Sequence, residues 1–433
     1  MDRLTALLEK NLEPIATRFA ENKYLIALRD GLVLAMPILI IGSFCIIIGD
    51  FPIPAFQTFM TNAFPDFWAN WNWNVVNPAT IGLVSLLSIV GVSSSLAREE
   101  KIDPMSSVAI ALSAYFILIP IDDSAAYNSS YFAAQGLFVS MITSILVVEL
   151  YAFFLRKKVT IKMPDSVPSF VSTQFEALVP ATIILMMFLA VRYIFAATPY
   201  GTMTEFIYKV LQIPLTNIGT SLGGTLVVSF LNSFFWLFGI HGTAVTGAFT
   251  DPIWYAARFA NLEVYQKGAD LARPYIVTMD FGNMFIFLGG TGITLALTFL
   301  MAFACKSQRI RQLGRMSILP GLFNVNEPVI FGLPLVLNPV MIIPFFLAPM
   351  VTILIAYGAM RFGLCPYPTG VTIPWTTPAP IGGWLMCNDW RGGLLQLIVI
   401  AVSGVIYYPF LKVLDKKYLE EEVAAENEEK KQA

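Results

Sequence analysis

Long apolar runs almost empty of charge recur along the whole chain and leave it few ways to fold. About nine stand out: Tyr24 to Gly49, Thr80 to Ala97, Met105 to Pro120, Gly136 to Leu155, Leu178 to Phe195, Thr220 to Gly239, Ile276 to Ala304, Leu333 to Met360 and Gly393 to Phe410. A helix needs about 20 mostly apolar residues to cross the hydrocarbon core of a bilayer, and these runs are of that order. Residues over 433 positions are 56% hydrophobic and 13% charged, more apolar surface than one soluble core can cover. The bilayer is therefore the solvent. Because hydrocarbon offers the backbone no hydrogen-bond partners, an all-α membrane fold follows. Nothing resembling a large soluble domain or a nucleic-acid-binding surface is left over.

Lysine and arginine set the orientation, since they are retained on the cytoplasmic side of the spans they flank. Arg3, Lys10, Arg18, Lys23 and Arg29 place the N-terminal stretch inside, and Asp50 to Ala79, without Lys or Arg, lies outside. Arg98 and Lys101 are inside, the Asp122, Asp123 loop is outside, and Arg156, Lys157, Lys158 and Lys162 are inside again. Lys306, Arg309, Arg311 and Arg315, with Lys412, Lys416 and Lys417 near the end, also read as cytoplasmic. An odd number of spans cannot put both termini inside, so one crossing is hidden, between His241 and Ala260 or between Ile318 and Gly332. Three segments rich in glycine, proline and polar residues, Gly239 to Asp251, Pro320 to Gly332 and Cys365 to Asp389, read as broken helices or re-entrant hairpins. Broken backbone at membrane depth survives only where protein buries it or a cavity wets it, which is where transporters bind their cargo. Met1 to Arg29 is amphipathic and charged, unlike a cleaved leader. The stretch from Asp415 to Ala433 reads as a solvated, partly helical or disordered tail.

The polar residues in these segments are few. His241 is the sole histidine; its imidazole suits a ligand hydroxyl, or else a backbone carbonyl at the interface. Glu327 lies in Asn324-Val325-Asn326-Glu327-Pro328, where the proline opposes helix at the preceding residue. A carboxylate there suits a general base that takes a hydroxyl proton during attack on phosphorus, or a loop anchor paired with Arg311 or Arg315. Asn326 offers further hydrogen bonds beside it. Trp375, next to Thr376 in a proline-broken stretch, suits stacking on a pyranose face, or simple anchoring at the interface. Trp68, Trp71 and Trp73 read as interfacial anchors. Asp280 and Asn283 face the protein interior, lining a cavity or bonding a neighbouring helix.

Other chemistries find no support. Cys45, Cys305, Cys365 and Cys387 lack metal-ligand spacing; Cys365 and Cys387 read as free thiols rather than a pair. No phosphate-binding loop, kinase signature or HExxH stretch occurs. No metal or cofactor is expected, and if a phosphoryl group is involved, another protein must bring it.

Four stretches together resemble the enzyme IIC membrane component of bacterial sugar phosphotransferase systems, in the lactose, cellobiose and chitobiose family. They are Leu28-Arg29-Asp30-Gly31-Leu32, Phe238-Gly239-Ile240-His241-Gly242, Phe323 to Val329 around Asn-Glu-Pro, and Ile373 to Pro378 followed by Asp389-Trp390-Arg391-Gly392. The resemblance implies about ten transmembrane helices with two re-entrant hairpins in the C-terminal half. It further implies a homodimer formed through an N-terminal scaffold, and a substrate domain that moves past it. The corresponding expectation is a scaffold over 1–215, a transport domain over 216–414 and a charged cytoplasmic tail over 415–433. By the same resemblance His241 and Glu327 hold the hydroxyl that becomes phosphorylated, and Asn326, Trp375, Thr376 and Asn283 shape the site. The substrate would be a β-linked disaccharide, the phosphoryl donor a phosphorylated IIB protein, and the location the inner membrane. Enzymatic activity would exist only in complex with IIB. The rival is a proton-coupled sugar transporter working through Glu327 and His241; a channel is less well supported, because the polar groups form no ring.

Overall fold

The computed structural model describes residues 22–49, 54–121, 126–164, 167–237, 241–268, 271–333, 335, 338 and 340–432. Among them the architecture is all helical, apart from one isolated bridge between Ile121 and Tyr127. Among the described residues six helices are long and apolar enough to cross a membrane: Lys23–Gly49, Asn74–Glu99, Ala134–Arg156, Val171–Ala196, Ile342–Arg361 and Trp390–Asn427. Met203–Gly219 and Leu222–Leu237 make a seventh if they count as one broken span. Pro104–Leu118 and Leu295–Ala304 are apolar but shorter. The former starts where Asp103 accepts from the Ser106 amide at 2.7 Å, with Pro104 in the first turn, a helix start that needs no outside partner. The stretch before Ala79 that carries no Lys or Arg is itself helical over Pro54–Ala63 and Pro65–Asn70. Its Trp68 rings with Phe56 and Trp71 at 5.7 Å.

The chain divides into two compact units. One holds the described part of Thr17–Gly219 together with Gly247–Gln266. In it Lys23–Gly49 packs on Val84–Glu99 at glycine: a β-carbon on Gly91 would lie 2.3 Å from the Gly31 carbonyl oxygen. Lipid gives no hydrophobic drive between helices, so such small-residue crossings supply van der Waals contact instead. At one end of this bundle the nearly buried Glu100 binds Lys23 at 2.5 Å and also Arg156, and Lys23 reaches Glu149 at 2.6 Å. A buried carboxylate is tolerable there because two cations share it.

The other unit holds Thr220–Thr246 and the chain from Lys267 onward. Its core gathers Trp236, Met301, Val329, Phe345, Tyr407 and Leu411, all under 4% exposed. Two of the expected spans are shorter here. Ile276 to Ala304 breaks into Met279–Phe281, a π-helical turn Gly282–Ile286 and, after an irregular loop, Leu295–Ala304. The loop contains Gly289, Gly290 and Gly292 at φ of +73°, +89° and +84°, which no helix accommodates. Among the described residues of Leu333 to Met360 the helix runs from Ile342, and just before it Asn338 accepts from the Val340 and Met341 amides. Of the stretch read as broken from Gly239 to Asp251, the part from Gly242 onward belongs to one helix, Gly242–Lys267, and Gly239 and Ile240 lie outside the described residues.

The tail is more ordered than its composition suggests. One helix continues from Trp390 to Gln432, and its acids cap another helix. Asp415 accepts from the Lys306 and Ser307 amides at 2.8 and 2.9 Å. Glu422 accepts from Ser307 Oγ and from the Gln308 and Arg309 amides at 2.7, 3.0 and 3.0 Å. These amides open the Gln308–Leu322 helix, where orphan donors and the helix dipole favour a carboxylate.

Candidate functional site

The Gln308–Leu322 helix and the short Glu327–Gly332 helix meet in the turn that carries Asn324, Asn326 and Glu327. Asn324 takes the left-handed conformation at φ +65°, which asparagine tolerates better than most residues. Its Oδ1 accepts from the Gly289 amide at 2.6 Å, and its Nδ2 donates to the Trp375 carbonyl. Asn326 is buried, and its Nδ2 donates to Thr291 O at 2.8 Å and Thr294 Oγ1 at 2.9 Å. Any contact of Asn326 with a ligand therefore falls to Oδ1. The glycine loop and the Asn-Glu-Pro turn are thus locked together by side-chain amides reading backbone groups.

The lock leaves no room at Gly290. A β-carbon there would lie 2.2 Å from Asn326 Cγ, and φ is +89°. Gly290→Ala is expected to destabilise the protein by about 1–3 kcal/mol through strain and displacement of Asn326, read as a lower thermal midpoint in detergent.

His241 sits immediately before the Gly242–Lys267 helix. Its Nδ1 lies 2.9 Å from Thr243 Oγ1 and accepts from the Ala244 amide at 3.3 Å, at the start of Gly242–Lys267. An amide can only donate, so Nδ1 is the acceptor and the neutral ring carries its proton on Nε2. That nitrogen points at Glu327 Oε1, 3.9 Å away. The imidazole also lies against Trp236, ring centroids 4.8 Å apart. Trp236 Nε1 donates to Thr291 Oγ1 at 3.1 Å, and Thr291 Oγ1 donates to Asn232 Oδ1 at 3.2 Å. Thr291 is thereby linked indirectly to both halves of the pair, to His241 through Trp236 and to Glu327 through its chain neighbour Asn326.

At 3.9 Å the pair is too far apart for a direct hydrogen bond. One hydroxyl oxygen at roughly 2.8 Å from both atoms closes the gap, accepting from Nε2–H and donating to the carboxylate. Glu327 Oε2 is buried with no hydrogen-bond partner among the described residues, and both side chains are about half exposed, at 52% and 45%. The gap between Oε1 and the proton-bearing imidazole is an arrangement completed by a hydroxyl-bearing ligand. Among the described residues no ion pair joins Glu327 to Arg311 or Arg315.

Trp375 sits in a turn closed by Thr377 N to Pro374 O at 2.9 Å, with its indole 48% exposed. Thr376 is half-buried beside it. Asp280 is fully buried, and its Oδ1 accepts from the Ile373 amide at 3.1 Å, so it supports the turn from behind. Asn283 lies in the π-helical turn, half-buried, without a hydrogen bond among the described residues. The fold therefore brings His241 directly to Glu327 and links Asn326 and Trp375 to them through backbone. It records no direct contact of Thr376 or Asn283 with the pair. Asn324, Thr291, Trp236 and Asn232 are the supporting residues that sequence reasoning missed. The Gly-Gly-Thr-Gly run at 289–292 inside an apolar stretch is the one signal available for the loop, and the reading of Ile276 to Ala304 as a single span passed over it. Cys365 and Cys387 are buried thiols, Sγ atoms 3.7 Å apart. Among the described residues no acidic, cysteine and histidine cluster could hold a metal.

With this geometry in place, likeness to known proteins becomes decisive. The model of the family "Phosphotransferase system, EIIC" matches residues 29–349. The chain belongs to the phosphotransferase system EIIC family. It is 37% identical to the lichenan permease IIC component of Bacillus subtilis (strain 168), over 98% of this chain and 96% of that one. It is also 37% identical to the cellobiose-specific EIIC component of Geobacillus stearothermophilus, over 98% and 97%. The lactose-specific EIICB component of Staphylococcus aureus is 31% identical over 98% of this chain and 74% of its own length. Among solved structures, the transporter ChbC, the IIC component from the N,N'-diacetylchitobiose-specific phosphotransferase system, superposes with a TM-score of 0.90 at 38% identity, covering 96% of this chain and 99% of that one. As an EIIC protein, the chain is a multi-pass membrane permease of the phosphotransferase system.

Proposed function

We propose that this EIIC permease binds a β-linked disaccharide between His241 and Glu327 and presents one hydroxyl of it to a phosphorylated IIB protein. The observation that carries this reading is the pair itself: Nε2 of His241 3.9 Å from Oε1 of Glu327, with the second carboxylate oxygen unpaired. Glu327 takes the hydroxyl proton as the sugar oxygen attacks phosphorus; the bond from phosphorus to the IIB cysteine sulfur breaks, and the thiolate leaves. His241 donates from Nε2 to orient the same oxygen. Trp375 stacks on a sugar face, while Asn326, Thr376 and Asn283 complete the polar lining. Relatives acting on cellobiose, lichenan and diacetylchitobiose support a β-linked substrate. Relatives that are EIICB components support a IIB partner.

The product is a charged sugar phosphate, which does not re-cross hydrocarbon, so the chemistry itself drives accumulation. On this reading the protein is a homodimer in the inner membrane with both termini cytoplasmic. About ten spans and two re-entrant hairpins make up each protomer, with a scaffold over 1–215, a mobile transport domain over 216–414 and a tail beyond. Family membership favours group translocation over proton coupling. Competition binding to the purified protein with cellobiose, diacetylchitobiose, lactose and the α-linked maltose tests the substrate class. A β-linked sugar is expected to bind at least about tenfold tighter than maltose, a difference near 1.4 kcal/mol. Equal or tighter binding of maltose contradicts the assignment.

A further inference from the structure

We propose that Asn324 is a positioning residue: its carboxamide ties the Trp375 turn to the glycine loop and so sets the Trp375 indole relative to Glu327. The inference rests on the assignment of Trp375 and Glu327 to the sugar site. Asn324 is 8% exposed, and its left-handed backbone is held by its own amide, which donates to Gly321 O at 3.0 Å. From that fixed base the carboxamide bridges two segments distant in sequence. Oδ1 accepts from Gly289 N, and Nδ2 donates to the carbonyl of Trp375 itself.

Only a carboxamide places a donor and an acceptor side by side at the end of so short a side chain. Both partners are backbone groups, so the contact fixes where the segments lie whatever side chains they carry. The Trp375 indole needs such support, because among the described residues it makes no hydrogen bond or ring contact of its own. Its turn is held at Ile373 by Asp280 and at Trp375 by Asn324. Glu327 lies three residues beyond Asn324, across the turn that opens the Glu327–Gly332 helix. One side chain therefore connects the base and the stacking platform through a short run of chain and one hydrogen bond.

Two substitutions separate this role from general stability. Asn324→Asp keeps the acceptor for Gly289 and loses the donor to Trp375. Asn324→Gly keeps the left-handed backbone and loses both bonds. In sugar-free protein, hydrogen exchange across 371–377 is expected to quicken in both variants while the Leu295–Ala304 helix stays protected. Unchanged exchange at the turn in both overturns the proposal. Sugar affinity is then measured for Asn324→Asp in the parent and in Trp375→Ala. A loss of about tenfold in the parent and under about twofold in Trp375→Ala is expected, because the two residues act as one unit. Equal losses in the two backgrounds overturn it, since Asn324 then acts independently of Trp375. If Trp375→Ala binds sugar like the parent, the positioning role also falls, but the fault lies with Trp375 as a site residue; a turn that still loosens in Asn324→Asp identifies that case.

Discussion

Glu327→Gln is expected to lower phosphoryl transfer from phosphorylated IIB to sugar by about 10²–10⁴-fold, the usual contribution of a general base. Glutamine has nearly the same shape, so the turn, with its Asn326 and Asn324 hydrogen bonds, is undisturbed. The amide oxygen still accepts from a hydroxyl but cannot take its proton. Sugar affinity should consequently change by no more than a few fold, while transfer at saturating sugar collapses. Rapid-quench measurement of sugar phosphate, beside equilibrium binding on the same preparation, checks both parts. Transfer within about threefold of the parent would remove Glu327 from the base role.

His241→Ala should act mainly on binding. The ring gives one Nε2–H hydrogen bond to the shared hydroxyl, and its loss also leaves a gap beside Trp236, whose ring centroid is 4.8 Å from the imidazole. A weakening of sugar affinity by about tenfold or more is expected, corresponding to about 1.4 kcal/mol. Titration calorimetry measures it directly. His241→Gln, which retains a donor on a side chain of similar reach, should recover part of the loss; unaltered affinity in His241→Ala would return the residue to its capping role at Thr243 and Ala244.

Apolar run length alone located the helices Lys23–Gly49, Ala134–Arg156 and Val171–Ala196, because in lipid a charge-free run of that length has no alternative to helix. It failed between Ile276 and Ala304 for a reason that lies outside the run. Gly289, Gly290 and Gly292 are each acceptable in a membrane helix, and nothing local demands a break. The break is stabilised from a distance, by Asn324 and Asn326 satisfying Gly289 N and Thr291 O. The tail misled in the other direction: its composition is that of a solvated end, yet Asp415 and Glu422 find the bare amides of 306–309.

The site was legible to the same uneven degree. His241 and Glu327 stood out because a lone imidazole and a proline-flanked acid are costly near an apolar run, and the fold brings them to 3.9 Å. Trp236 and Thr291 did not, since a tryptophan at a span end and a threonine among glycines have ordinary explanations. Their role emerges only when the hydrogen bond of 3.1 Å between them is seen to back His241.

The most direct test of the whole account is the chemical form of sugar that enters sealed vesicles containing this protein. Labelled β-disaccharide is supplied outside, phosphorylated IIB is enclosed or omitted, and the internal label is separated by charge. The account predicts internal sugar phosphate with the parent protein and IIB, at least about 10²-fold slower formation with Glu327→Gln, and none without IIB. Unmodified sugar concentrating inside without IIB, and released when the proton gradient is collapsed, would contradict it.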